Sequence, residues 1–450
     1  MSDIHLLVLI HGMWGNPTHL AHMDKIIHEV KGSDENTVSD GPELAVLVAK
    51  TNSDESTYDG IDWGGERVAQ EILEEIQKYE NEGKKVTRFS VTGYSLGGLL
   101  ARYVIGILHQ NKFFEKVTPV NFNTIATPHV GIPRFPSFFS TIAHYIGPRF
   151  LSRTGEQFFC VDKWSAKGRP LLDVLADPDH VFYQTLLLFP NIRVYANAIN
   201  DLTVPYVTAA IEEDDLFAEY EKNGLEIEFH DQYKHVVKSY AIPSSPPPPR
   251  EREKISLVTR IRNLRPPVPP VLQGVFPLNL LVYALLPILF PTFVSLALVR
   301  LSIASHNSRT RLKALEIDES NYERLSRIIA KLESNVESVV LDMYDSQGTT
   351  SSPSPLPSED PIGGIVIQQD SEVVDDSPDS QPLTHAILLS PVQRRCIQNL
   401  NKIPQLQKER AFFVDVLNSH AMIVCRDVKR FKLHLEGEGV LRHWADHFEL

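Results

Sequence analysis

The chain has 450 residues, 42% of them hydrophobic and 22% charged, with a formal net charge of −13. That length supports a large globular core with appended pieces, and an acidic balance without a dense basic face gives no reason for a nucleic-acid partner. Three cysteines, Cys160, Cys396 and Cys425, none of them in a C-x-x-C pair, form neither a disulfide framework nor a zinc site, and no cofactor is implied.

The N-terminus begins with Met1-Ser2-Asp3, and its short apolar run, residues 6–10, ends directly in His11-Gly12. A secretory signal needs a basic start and a longer apolar stretch, so the run reads as a first core strand and the bulk of the chain as cytosolic. Residues 44–49 and 86–91 are further apolar runs of strand length. Between them, Val68, Ile72, Ile76 and Tyr79 recur at helical spacing. Residues 96–108 read as a buried helix, and 117–125 and 192–199 as two more strands. Strands alternating with helices predict a mostly parallel α/β sheet covered on both faces. Residues 131–175 interrupt the rhythm; their first part is rich in Pro and aromatics (Pro133, Phe135, Phe138, Phe139, Tyr145) and reads as a lid-like insertion or acyl-chain groove.

Composition changes after residue 240. A Pro-rich, basic linker covers 241–265, and an apolar stretch covers 266–304, of which about 34 residues carry no charge, enough to enter a bilayer. An amphipathic helix is expected within 305–344 and a disordered Ser/Pro/Asp-rich loop over 345–382. Core character returns over 383–450, with a strand at 412–417 and helix from Met422 onward.

The strongest motif is Gly93-Tyr94-Ser95-Leu96-Gly97, placed between a predicted strand and a predicted helix. A serine on a sharp strand-to-helix turn exposes its Oγ above the sheet, and small residues at 93 and 97 make room for the turn; this is the nucleophile elbow of α/β-hydrolases. The Leu96 N–H, at the helix start, is the natural donor to a developing oxyanion. The loop after the first strand, His11-Gly12-Met13-Trp14-Gly15, is where this fold takes its second donor; Met13 is the candidate, with Gly12 permitting close approach. His11 precedes the serine and is not the expected base. The order Ser, Asp, His selects Asp201, in the polar turn Asn200-Asp201 after a buried strand, as the acid. Asp415 ranks below it as lying inside a strand, and Asp173, Asp177 and Asp179 as lying in or beside the insertion. His420, between the last strand and the last helix, is the candidate base; His434, His443 and His447 fall in what reads as a surface segment.

With Leu9-Ile10-His11-Gly12, the Ser95 elbow through Gly98, Asn123-Thr124-Ile125-Ala126-Thr127-Pro128-His129, and Asn200-Asp201 with Val204-Pro205, the sequence resembles the fungal serine esterases of the α/β-hydrolase superfamily, and is most similar to the lipid-droplet phospholipases among them. The resemblance covers roughly residues 4–210 and the region of His420. It implies hydrolysis of acyl esters, with a phospholipid or acylglycerol as substrate, and no protein partner.

The apolar stretch contains Pro277, Pro287 and Pro291 and has basic residues on both sides. It reads as two short halves of a hairpin dipping into one leaflet, both ends cytosolic, at a lipid droplet or the cytosolic face of an internal membrane. If His420 serves Ser95, the chain must return to the same side. The competing reading is a buried cap over the active site. Two other functions stay open: a thioesterase or deacylase of lipidated proteins, and a catalytically idle lipid-surface protein.

Overall fold

The computed structural model describes residues 2–32, 41–243, 278–317 and 387–450. The alternation of side chains along the first strand, β1 (Asp3–Ile10), organises the molecule. Ile4, Leu6, Val8 and Ile10 enter one apolar cluster, and Leu7 and Leu9 enter another on the opposite face. A strand buried on both faces needs a covering layer on each. On the first face lie α2 (Ile61–Asn81) and α3 (Leu96–Gln110), which contribute Val68, Ile72, Leu99 and Leu100. On the second lie α1 (Ala21–Lys31) and the C-terminal helix Glu438–Asp446, which contribute Met23, Ile27, Leu441 and Trp444.

The other strands of this sheet are β2 (Glu43–Val48), β3 (Lys85–Tyr94), β4 (Thr118–Ile125), β5 (Asn191–Asn197) and a late strand, Leu406–Ala411. Their spatial order is β2-β1-β3-β4-β5 and then the late strand, and every pairing is parallel. A separate two-stranded antiparallel ribbon joins Glu226–Phe229 to Val237–Ala241.

Two expectations near the C-terminus need correction. The last strand of the sheet is Leu406–Ala411, not 412–417. It is an edge strand, so its Lys408, Glu409 and Arg410 are accommodated by ion pairs with Glu212 and Arg193, which the more apolar 412–417 does not need. Phe412 and Phe413 are buried after the strand has ended. The segment from Met422 runs as turns to Arg430, a 3-10 helix covers Lys432–Gly437, and the α-helix begins only at Glu438. His443 on that helix is buried, with Nδ1 at 3.0 Å from the Tyr195 hydroxyl, because the helix packs directly on the sheet.

The aromatic insertion forms α4 (Phe138–Phe150) and α5 (Ser152–Phe158). The latter caps the start of α2: Thr154 Oγ1 accepts from Gly60 N–H at 2.9 Å, and Gln157 Oε1 from Ile61 N–H at 2.6 Å. Against α4 and α5 rests one continuous helix, Leu278–Ile317, of 40 residues. Pro287 and Pro291 lie inside it, so the described residues form a single helix there rather than two short halves. Each proline removes one N–H from the helix ladder, and Thr292 Oγ1 donates to the Ile288 carbonyl at 2.7 Å. Residues 287–296 are exposed, Ile288, Leu289, Phe290 and Phe293 among them, whereas Ala304, Ser305, Ser308 and Leu312 are buried against the core. Residues 244–277, which hold most of the basic linker and the start of the apolar stretch, lie outside the described residues, as do the amphipathic helix expected around 322–341 and the loop 345–382.

Candidate active site

Ser95 stands between the end of β3 and the start of α3 with φ 55° and ψ −124°. Non-glycine residues rarely adopt this backbone, and it is held because the surroundings over-determine it. Ser95 N–H donates to the Ile125 carbonyl at 2.8 Å. A Cβ on Gly97 would fall 2.0 Å from the Ile10 carbonyl oxygen, and one on Gly93 only 2.4 Å from the Gly97 carbonyl carbon. The turn is therefore closed to side chains at both positions. Gly12 is equally confined, since a Cβ there would meet the Ser95 Cβ at 2.7 Å. The motif Asn123–His129 packs behind this turn rather than in the site: buried His129 meets Thr124 Oγ1 at 2.8 Å, and its carbonyl accepts from Arg102 at 2.9 Å.

The structure brings Ser95, His420 and Asp201 into one hydrogen-bonded chain. Ser95 Oγ lies 3.1 Å from His420 Nε2, and His420 Nδ1 lies 2.9 Å from Asp201 Oδ2. Asp201 also accepts from the N–H groups of Thr203 and Val204 at 2.9 and 2.8 Å and from Asn197 Nδ2 at 2.8 Å. Burial opposes charge on its carboxyl, but the adjacent His420 and these donors outweigh it and hold its pKa below the ordinary carboxylate value. Asp201 therefore stays ionised and can fix the imidazole tautomer with the proton on Nδ1, leaving Nε2 to accept from Ser95.

His420 is positioned by residues both distant and near in sequence. Tyr94 Oη donates to its carbonyl at 3.0 Å, and Asn418 Oδ1 accepts from its N–H at 3.2 Å. The loop that carries it is tied to the acid's turn: Ser419 N–H donates to the Asn200 carbonyl at 2.8 Å, and Asn200 Nδ2 donates to the Phe413 and Val414 carbonyls. Asp415 lies after the strand rather than inside it and is exposed, while Asp173 and Asp177 are paired with Arg169. His11 is buried, with its ring against the Gly12 carbonyl and Ser53 Oγ; desolvation lowers its pKa, and it takes no part in the Ser95 chain.

The two candidate oxyanion donors flank Ser95. The Leu96 N–H is the first of α3 and has no partner within its helix. In the opposing loop, the Trp14 N–H is already committed to Thr57 Oγ1 at 3.2 Å, which leaves Met13 as the better donor there. Met13 and Ser95 line the same cavity of about 230 Å³, together with Tyr94, Thr203, Asn418 and Arg426. Among the described residues, none from the aromatic insertion lines this cavity. Sequence reasoning missed Arg426, Tyr94, Asn197 and Asn418. Tyr94 and Asn197 had a usable signal in their positions at strand ends; Arg426 and Asn418 had none.

Residues 1–212 match the model of the family described as "Putative serine esterase (DUF676)". "Putative lipase C4A8.10" of Schizosaccharomyces pombe is 30% identical over 228 residues, half of this chain and 28% of that protein. "Putative lipase ROG1" of Saccharomyces cerevisiae is 30% identical over 221 residues, 48% of this chain and 29% of that one. This chain thus spans less than a third of the length of these relatives. Among solved structures, phospholipase PlaB from Legionella pneumophila is 14% identical with a TM-score of 0.27, over 50% of this chain and 44% of that one. The RedJ thioesterase from Streptomyces coelicolor is 14% identical with a TM-score of 0.24, over 46% of this chain and 74% of that one. Likenesses at these scores say nothing of substrate. The parallel sheet, helices on both faces and serine elbow are those of an α/β-hydrolase.

Proposed function

We propose that this chain, whose residues 1–212 match the serine esterase family, is a lipase or phospholipase that cleaves acyl esters of phospholipids or acylglycerols at a lipid surface. The observation that carries the reading is the unbroken hydrogen-bonded chain from Ser95 Oγ through His420 to Asp201. In the proposed reaction His420 Nε2 takes the Ser95 proton as Oγ attacks the ester carbonyl. The tetrahedral oxyanion faces the N–H groups of Met13 and Leu96. His420 returns its proton to the leaving alcohol as the ester C–O bond breaks, leaving an acyl-Ser95 ester. Water, deprotonated by the same imidazole, then releases the fatty acid and restores the serine.

The lipid surface is proposed from the helix Leu278–Ile317. Ile288, Phe290, Phe293 and Leu296 are each at least 64% exposed, far more contiguous apolar area than water tolerates. By length and composition alone the helix from residue 287 is a candidate membrane segment, and its part from Ala304 to Leu312 is packed on the core. Exposure of the side chains at 287–296 supports a surface role for this part over a buried cap. A droplet monolayer or the cytosolic face of an internal membrane fits a chain in which Ser95 and His420 flank the apolar segment and must share one side. Labelling with a fluorophosphonate tests the chemistry: wild type should react at Ser95, and Ser95→Ala should not. An unlabelled, well-folded wild type would overturn the hydrolase reading in favour of an idle lipid-surface protein.

A further inference from the structure

A second cavity, of about 400 Å³, lies beside the catalytic pocket and shares a wall with it: Trp14 lines both. Its other sides are Tyr58 and one face of the long helix, Ala297, Leu301 and Ala304, with Asp54, Glu55 and Arg300 completing the lining. The volume lies within the roughly 300–1,000 Å³ usual for ligand sites.

Both walls are fixed by the same short turn, Asp54–Tyr58, and the residue after it. Trp14 has φ 55°; its indole Nε1 donates to Tyr58 Oη at 2.7 Å, and its backbone N–H to Thr57. The facing helix is pinned one residue further on, at Asp59. Ser308 Oγ donates to Asp59 Oδ1 at 2.7 Å and Arg311 Nη2 to the same oxygen at 2.9 Å, while Arg67 holds Oδ2 at 2.9 Å. Ser305 adds a bond to the Arg149 carbonyl at 2.8 Å. The width of the cleft is thus set by buried polar contacts. Small side chains at 297 and 304 keep it open, and its apolar wall runs on into the exposed apolar surface of the same helix.

We propose that the cleft between Trp14–Tyr58 and helix residues 297–304 receives the acyl chain of the ester whose carbonyl is held at Ser95. This rests on the ester-hydrolase reading and adds to it a determinant of chain length. The occupant follows from placement: the cleft adjoins the Ser95 pocket at Trp14, is apolar at Ala297, Leu301 and Ala304 with Arg300 beside them, and opens toward the surface proposed to meet lipid. The helix then selects substrate as well as attaching the protein, and each methylene seated should favour binding on the order of fourfold.

The test reads binding and turnover separately. Of the four tryptophans, Trp63, Trp164 and Trp444 are buried, and Trp14 is 51% exposed. In Ser95→Ala protein, a dibromododecanoate probe should quench tryptophan fluorescence saturably. The quenching should be competed by dodecanoate far better than by butyrate, and should vanish in the Trp14→Phe background. Ala297→Phe, with melting temperature as the check on folding, should weaken it at least fivefold. In the otherwise wild-type enzyme the same substitution should lower the ratio of kcat/KM for dodecanoyl over acetyl esters at least tenfold. Absent quenching, quenching that survives Trp14→Phe, or an unchanged ester ratio in folded Ala297→Phe overturns the cleft assignment. Saturable, Trp14-dependent quenching without any ester turnover would retain the cleft as an acyl site and overturn the hydrolase reading instead.

Discussion

The turn around Ser95 and the long helix 278–317 stand at opposite extremes of constraint. At the turn, neighbours crowd so closely that Gly12, Gly93 and Gly97 have no room for a Cβ, and Ser95 is held at a backbone angle it would not adopt alone. Along residues 287–296 of the helix the side chains are exposed, two prolines with them. The contrast shows two ways in which a chain commits residues to a task. Rigidity at the turn serves chemistry that fails when atoms move by a fraction of an ångström. Bare apolar surface on the helix is stable in water only if something covers it. Asp59 joins the two regimes, since it anchors the helix and follows directly on the turn that holds Trp14.

The sharpest way to break the rigid region is at the nucleophile. Ser95→Ala should lower kcat on the order of 10⁶-fold if the three residues act as a unit, with the melting temperature unchanged. Activity within tenfold of wild type on a soluble ester would show that Ser95 is not the nucleophile. Asp201→Asn should cost about 10⁴-fold, because the amide turns the imidazole to the wrong tautomer. A harmless Asp201→Asn together with a crippling Asp415→Asn would reassign the acid to Asp415, which is exposed.

On the helix the expected loss is of location rather than chemistry. Deleting 266–299 should move the protein from the membrane pellet to the soluble fraction while a short-chain ester is still cleaved. The docked contacts of Ser305, Ser308 and Arg311 remain in such a deletion, as does every residue of the Ser95 chain. A protein still found with membranes, or a soluble one that has lost its fold, would contradict the attachment reading. Asp59→Ala probes the junction. It removes the buried carboxylate shared by Arg67 and Arg311 and should cost about 3 kcal/mol in chemical denaturation, at the low end for a broken buried pair because both guanidinium groups reach solvent. A change under about 0.5 kcal/mol, the size of an ordinary surface substitution, would mean that the helix is held elsewhere.

The smallest effect concerns pH. His5 and His443 are buried on the α1 face of the sheet, and desolvation lowers their pKa values to about 4 and about 3. The unfolded chain takes up their protons near 6.5 and the folded chain resists, so stability present above about 6.5 should fall as pH drops through that value toward 4. Denaturant midpoints measured between pH 7 and 4.5 should decline, and less steeply in His443→Gln. An identical slope in that variant would remove His443 from the account.

The local sequence fixed the turn at Ser95 because it is a local object. A strand of continuous apolar residues, two glycines with no space for side chains and a helix start all lie within about a dozen positions, and each is a short-range steric demand. The parallel sheet was legible for the same reason, through apolar runs alternating with helical spacing. Asp201 and His420 were legible from chain order and from the turn after a buried strand, but their meeting was not, because 219 residues separate them and the contact depends on Asn200 tying one loop to the other. The last strand was misplaced because an edge strand has one bonded neighbour and admits Lys408 and Arg410, so apolar content pointed to the wrong segment. Burial of His443, the position of Arg426 beside Ser95, and the cleft between Trp14 and Ala297 belong to the tertiary structure alone. Each is made by side chains that no periodicity relates, and such proximity is decided by how layers pack rather than by any pattern along the chain.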